Sequence, residues 1–263
     1  MKRFDCYMVT DVGRLRKNNE DNCYLNGEYK RTPELTEWNK QDTVYESGIF
    51  AVCDGMGGEE FGERASLFAV EILKEYHKKD FEKYASEYVK RVNEKICDFI
   101  DENNGVRTGT TLALVYINDD KAICYNIGDS RIYLYRNKKL IKLSEDHTRV
   151  SQLVKMKIIT EQQAETHPDK HVLTQHLGIF PEEMVIQPYI SKVEGIKNDD
   201  IFVICSDGLT DMLNDTDIRK YLSKKASAQE NAKTLLNAAL ERGGRDNVTV
   251  GVIKYIGIKK RLF

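Results

Sequence analysis

Phe50-Ala51-Val52-Cys53-Asp54-Gly55-Met56-Gly57-Gly58 is the stretch on which the reading of the whole chain turns. An apolar run with glycine on both sides reads as a buried strand. It ends on a carboxylate followed by three glycines among four residues. Burying a carboxylate beside apolar residues is costly unless a cation or several donors satisfy it. The glycines let the backbone turn sharply and come close to whatever Asp54 holds. Taken alone, the segment is better explained as a strand closing on an ordinary Asp-Gly turn. The pattern, however, returns further along.

Upstream, residues 4–13 and 22–26 read as strands around the polar turn 13–21, and 27–47 as a polar surface excursion, of hairpin form or irregular, outside the core. Strand 48–53 follows. Downstream, Leu67, Val70, Leu73 and Tyr76 recur at helical spacing over 61–79, and Tyr84, Tyr88, Val92, Ile96 and Phe99 over 81–103. Residues 109–117, 121–127 and 131–136 read as a three-stranded antiparallel meander. Segment 147–185 mixes charges, histidines and short helical pieces (150–156 and 160–165), punctuated by Pro168 and Pro181, and stands outside the sheets. Strands resume at 185–193 and 200–205, helices at 215–224 and 228–241, and a strand at 247–256 closes the pattern. The end, IKKRLF, reads as solvated. Strands in runs and helices in pairs predict an α+β fold with antiparallel sheets, in one domain over 1–258.

The balance of 40 basic against 42 acidic residues, a formal net charge of −2, gives no electrostatic footprint for nucleic acid or an anionic membrane. With 263 residues, 41% hydrophobic and 31% charged, the chain suits a soluble globular protein. The N-terminus lacks the apolar stretch of a signal peptide, and no run approaches the ~20 residues of a membrane span. Six cysteines without CxxC pairing sit mostly in apolar runs, which predicts free thiols and a cytoplasmic location.

The acids carry the chemistry. Asp54 ends IFAVCDG, Asp129 ends a strand in ICYNIGDSR, Asp207 ends IFVICSDG, and Asp246 opens the strand in GGRDNVTVGVI. Glu20 and Asp21 lie in the first polar turn. An antiparallel sandwich can bring strand ends to one edge, where these carboxylates would converge. Carboxylates packed together repel, and some protonate unless cations neutralise them. Oxygen ligands without a Cys or His cluster favour magnesium or manganese over zinc. His167, His171 and His176 lack paired metal-ligand spacing and are read as loop residues; His147 is read as packing.

With these motifs assembled, the chain resembles the type 2C metal-dependent Ser/Thr protein phosphatases (PPM family) in their compact bacterial form. The segments are TDVGRLRKNNED (10–21), FAVCDGMGG (50–58), GTT (109–111), GDSRIYLYR (128–136), LSEDHTRV (143–150), HVLTQHLG (171–178), DDIFVICSDGLTDML (199–213) and GGRDNVTVGVI (243–253). The resemblance implies a four-layer α/β/β/α sandwich with two central, mainly antiparallel sheets and 147–185 as a flap-like excursion. It implies two, or with a weaker site three, Mn2+ or Mg2+ ions at one edge. Asp54 would bridge two metals, Asp207 and Asp246 would hold one, and Glu20 with the carbonyl of Gly55 would approach the other. Asp129 would serve a third site with Asp207, helped by Asp211. Arg16 would bind the substrate phosphate, its planar fork matching two phosphate oxygens, and Arg131 would be structural.

The implied activity is hydrolysis of phosphoserine and phosphothreonine on proteins by attack of a metal-bridging hydroxide. The implied partners are phosphorylated proteins, including a Ser/Thr kinase and its substrates, or else one dedicated regulator such as an anti-sigma antagonist. The chain is taken as a monomer. The alternative is a catalytically silent regulatory module on the same fold, which retention of every matched acid opposes. Two departures stand out. Met56 occupies the position where animal members carry a histidine proposed as general acid. Gln175 and His176 stand where bacterial members usually have Arg and Ala, which bears on substrate preference.

Overall fold

The computed structural model describes residues 2–57 and 61–258. The solvated end expected at 258–263 therefore lies almost wholly outside the described residues. In chain order the elements are β1 (Lys2–Asp11), β2 (Asn22–Leu25), β3 (Glu28–Tyr29), β4 (Glu37–Tyr45), β5 (Ser47–Cys53), β6 (Gly55–Met56), α1 (Gly62–Lys74) and α2 (Ala85–Glu102). They continue with β7 (Gly109–Thr110), β8 (Leu112–Asn118), β9 (Lys121–Ile127), β10 (Arg131–Arg136), β11 (Lys139–Lys142), α3 (Arg149–Lys155) and α4 (Glu161–Glu165). The last are β12 (Tyr189–Glu194), β13 (Ile201–Cys205), α5 (Asp207–Thr210), α6 (Asp215–Tyr221), α7 (Ala228–Glu241) and β14 (Val248–Ile258).

Two antiparallel sheets of six strands form the centre, ordered β11-β10-β13-β14-β1-β4 and β12-β9-β8-β5-β2-β3. Strand β5 explains why its sequence is continuously apolar: Phe50 and Val52 point between the sheets, while Ala51 and Cys53 point toward α1 and α2. Both faces are buried, so neither alternates with polar residues. Helices α1 and α2 cover the second sheet with Leu73, Tyr88, Val92 and Ile96. Helix α7, opened by a Ser227–Glu230 capping box, covers the first with Leu235 and Ala239. The four-layer α/β/β/α arrangement follows from these three apolar interfaces. Among the described residues, no helix is long and apolar enough to cross a membrane. All six cysteines are free and buried.

Two expectations are corrected. Residues 27–47 are not merely a surface excursion: β4 pairs along β1 from Arg3↔Tyr45 to Asp11↔Glu37, and Val44 and Tyr29 are buried. As the edge strand, β4 turns one face to solvent and keeps its polar sequence there, which disguised it. The meander is also broken. Strands β8 and β9 pair, but β10 crosses to the other sheet and pairs with β11 and β13. Gly128 makes that crossing possible. Its φ is +92°, and a Cβ there would collide with the Thr111 side chain. The crossing leaves Asp129 at the sheet ends rather than in a hairpin turn.

Candidate metal centre

Strand register brings the acids together. Cys53 pairs with Asn22, so Asp54 and Asp21 are neighbours just beyond the ends of β5 and β2. Cys205 pairs with Val250, which sets Asp207 at the start of α5 near Asp246 just ahead of β14. The β9–β10 crossing adds Asp129 at the same edge, and Glu20 precedes Asp21.

The backbone here is held tightly. Asp54 N–H donates to Thr111 Oγ1 (3.0 Å), while Thr111 N–H and Thr110 Oγ1 both donate to the Asp54 carbonyl (2.9 Å each). That is the work of the GTT segment. A Cβ on Gly55 would run into the carbonyls of Gly62 and Glu20, so only glycine lets the β6 turn, the first polar turn and the start of α1 close together. Asn247 ties the same corner: its Oδ1 accepts from Glu20 N–H (2.8 Å), and its Nδ2 donates to the Val12 (2.9 Å) and Asn18 (2.8 Å) carbonyls. Asp246 accepts from Asn247 N–H (2.8 Å) and from Arg16 Nη2 (2.7 Å).

Electrostatics report the crowding. Burial, then the charges of Asp21, Asp207, Asp129 and Asp246, push the Asp54 carboxyl well above the ordinary range. Burial and Asp207 raise Asp129 to about 8. Burial raises Asp21 to about 7, against hydrogen bonds donated to its Oδ2 by Thr249 (2.6 Å) and Ser206 (2.7 Å). Glu20 and Asp246 are also raised, burial being the main cause. For Asp207 burial acts in the same direction, but hydrogen bonding and charge from His171 outweigh it and hold the carboxyl low.

His171 lies in a loop as its sequence reading has it, but it reaches the acids, which that reading does not give it. Its Nδ1 lies 3.4 Å from Asp207 Oδ2 and its Nε2 lies 3.3 Å from Asp211 Oδ2. Together Asp129, His171 and Asp207 bring ligand atoms within 4.8 Å of one another. Lys170 also reaches Asp211, at 3.3 Å. His167 and His176 do not join this group: His167 Nδ1 accepts from Asp169 N–H, and His176 packs against Gly109. Arg131 makes a bidentate pair with Asp146, as a structural residue would. Two contributors, His171 and Asn247, are not read as site residues from the sequence, and Asp21 is read there only among the converging acids, with no role of its own. The run Asp246-Asn247, the pair Glu20-Asp21 and the segment HVLTQHLG that His171 opens are the signals in the sequence, but none of them gives His171 a partner.

A divalent cation fits this donor set. The carboxyls of Asp54, Asp129 and Asp21 are forced toward protonation by burial and by neighbouring carboxylates, Asp207 among them in each case, and Asp21 Oδ1 is buried with no hydrogen-bond partner. Only positive charge relieves such a cluster without breaking it. The oxygen-rich composition matches a hard metal.

Known proteins resemble the chain over nearly its whole length. The family model described as "Protein phosphatase 2C" matches residues 37–242. A serine/threonine phosphatase, Stp, of Listeria welshimeri is 32% identical, with 93% of each chain covered. The solved serine/threonine phosphatase of S. agalactiae superposes with a TM-score of 0.83 at 28% identity, covering 97% of this chain and 100% of that one. The catalytic domain of the phosphatase PstP, solved with two manganese ions, gives 0.77 at 27% identity, covering 97% and 100%.

Proposed function

The chain belongs to the protein phosphatase 2C family and is a phosphatase enzyme, and from that premise we propose that it is a Mn2+- or Mg2+-dependent protein serine/threonine phosphatase whose chemistry lies at the Asp54 edge. The observation that carries this reading is the meeting of Asp54, Asp207, Asp246, Asp129 and Glu20, from five separate segments, in one cluster whose acids perturb one another. In this reading Asp54, Asp207, Asp246, Glu20 and the Gly55 carbonyl hold two cations. Asp129, Asp207 and His171, with Asp211 adjacent, form a weaker third site. A manganese complex of a similar catalytic domain supports the choice of metal.

Bound cations would supply a water acidic enough to attack phosphorus at neutral pH and would offset charge on the phosphoryl oxygens. The chain's own residues do the rest. Arg16, half exposed beside Asp246, holds the phosphate in a two-point grip and orients the ester for in-line displacement. Thr110 and Thr111 fix the Asp54 backbone so that its carboxylate does not swing away. The Met56 thioether has no proton to give, so the side chain two after Asp54 does not protonate the departing serine or threonine oxygen. The substrates are phosphorylated proteins, a kinase among them, and buried free thiols suit a reducing cytoplasm.

A manganese titration on phosphothreonine and phosphoserine peptides, with EDTA as control, tests the reading. Hydrolysis should appear with metal and vanish with EDTA and in Asp54→Asn. Metal-independent hydrolysis, or full activity in Asp54→Asn, would overturn the assignment.

A further inference from the structure

Gln175 does not face the cluster of acids. Its side-chain amide forms a two-point clip with the backbone of Gln187: Gln187 N–H donates to Gln175 Oε1 (2.7 Å), and Gln175 Nε2 donates to the Gln187 carbonyl (2.9 Å). The same Nε2 lies 3.0 Å from His147 Nδ1. That nitrogen also accepts from Gly128 N–H at 3.2 Å, and His147 N–H returns a 2.9 Å bond to the Gly128 carbonyl. Gly128 is the residue before Asp129. Beside this chain of bonds, a short ladder joins 147–149 to 172–174: Thr174 N–H donates to the His147 carbonyl (2.8 Å) and Arg149 N–H to the Val172 carbonyl (2.9 Å). His171 is the next residue.

We propose that Gln175 is a positioning residue: through the His147 ring it fixes the Gly128–Asp129 turn, and through its clip on Gln187 it holds the segment bearing His171 against that turn. Both arms of the Asp129–His171–Asp207 cluster are thus tied to one amide. The physical need is specific. Gly128 sits at φ +92° where the chain crosses between the sheets, so the place of Asp129, the next residue, depends on how that turn is held. The Gln175 amide adds a side-chain tie to the backbone bonds that already join His147 to Gly128 and to Thr174. A two-donor amide suits the task, because the Gln187 carbonyl accepts one of its hydrogens and the His147 Nδ1 lone pair, shared with Gly128 N–H, accepts the other. An arginine at this position would lack the acceptor that Gln187 N–H requires.

The inference rests on the proposed metal reading only for its first readout. Manganese binding to the full-length protein, measured calorimetrically, should show Gln175→Ala weakening the weakest class of sites about ten-fold, with the tighter classes unchanged. His147→Ala should do the same, and the double variant should be no worse than either single one. His147→Asn, whose Oδ1 replaces the Nδ1 acceptor, should restore binding. Unchanged isotherms, equal weakening of every class, or additive losses would each overturn the proposal. The second readout needs no metal. Amide hydrogen exchange at Gly128 and Asp129 in EDTA should speed up in Gln175→Ala and return toward the parent rate in His147→Asn relative to His147→Ala. Unaltered exchange at those amides would refute the tie, whereas an absence of manganese binding in the parent protein would count against the metal reading alone.

Discussion

Arg16 and Asp246 lie 230 residues apart in the chain, yet Arg16 Nη2 donates a 2.7 Å hydrogen bond to Asp246 Oδ2. The pair closes the site from the side of the first polar turn, whose Arg14 N–H also bonds the Gly244 carbonyl at 2.7 Å. It places the guanidinium fork beside the acids without burying it.

An ion pair this exposed contributes little to folding, about 0–1 kcal/mol. Arg16→Ala should therefore leave the thermal midpoint nearly unchanged. It should lower kcat/KM on phosphopeptides about ten- to hundred-fold, the range expected for losing a charge-assisted bond to phosphate. Arg16→Lys should recover only part of this, because an ammonium offers no planar fork. Steady-state kinetics with a parallel melt separates the two effects; a large fall in stability would refute this account of the pair.

Asp54→Asn removes one charge from a cluster that repels itself. In EDTA the variant should melt higher than the parent protein, while losing hydrolysis of p-nitrophenyl phosphate and most of the stabilisation that manganese gives the parent. Differential scanning fluorimetry with and without metal reads both. A lower melting point in EDTA would contradict the repulsion argument.

The metal-free protein should lose stability as pH rises. Asp21 and Asp129 titrate at about 7 and about 8 in the folded state, against about 3.9 unfolded. A folded pKa above the unfolded one gives stability that is complete below the unfolded value and is lost as pH climbs through the folded value. The decline should therefore run from about pH 4 to about pH 8. Added manganese should flatten it, because cations replace the bound protons. Urea melts in EDTA across that range check the sign; rising stability toward pH 8 would be the opposite outcome.

Asp146 receives Arg131 through Nε and Nη2 and also pairs with Lys142 at 2.6 Å, with little of its carboxyl exposed. Breaking such a buried network strands two cations. Asp146→Ala should cost about 3 kcal/mol of stability, measured by urea denaturation. A loss below 1 kcal/mol, on the order of a surface pair, would show that the cations find other partners.

Gly55→Ala should fold poorly or not hold manganese, since the added methyl meets the carbonyls of Gly62 and Glu20. Thr110→Ser keeps the hydroxyl bond to the Asp54 carbonyl and should retain most activity. Normal manganese binding by Gly55→Ala would mean that the three loops approach less closely than the structure places them.

Short-range chemistry settled much of this protein in advance. Apolar alternation and run length located most of the strands. Helical spacing located α1 and α2, because a buried face imposes its period directly on the residues that form it. The acids of the site were legible because each ends or opens a strand, and the resemblance supplied their order. Pairing across the chain was not legible. Strand β4 looked like surface because edge strands need only one apolar face. The destination of β10 hung on one glycine at φ +92°, and which sheet it joins is decided by partners distant in sequence. For the same reason only tertiary structure brought His171 to Asp207 and tied Gln175 to Gly128 through His147: loop contacts depend on how separate segments close on one another, and no local periodicity records that.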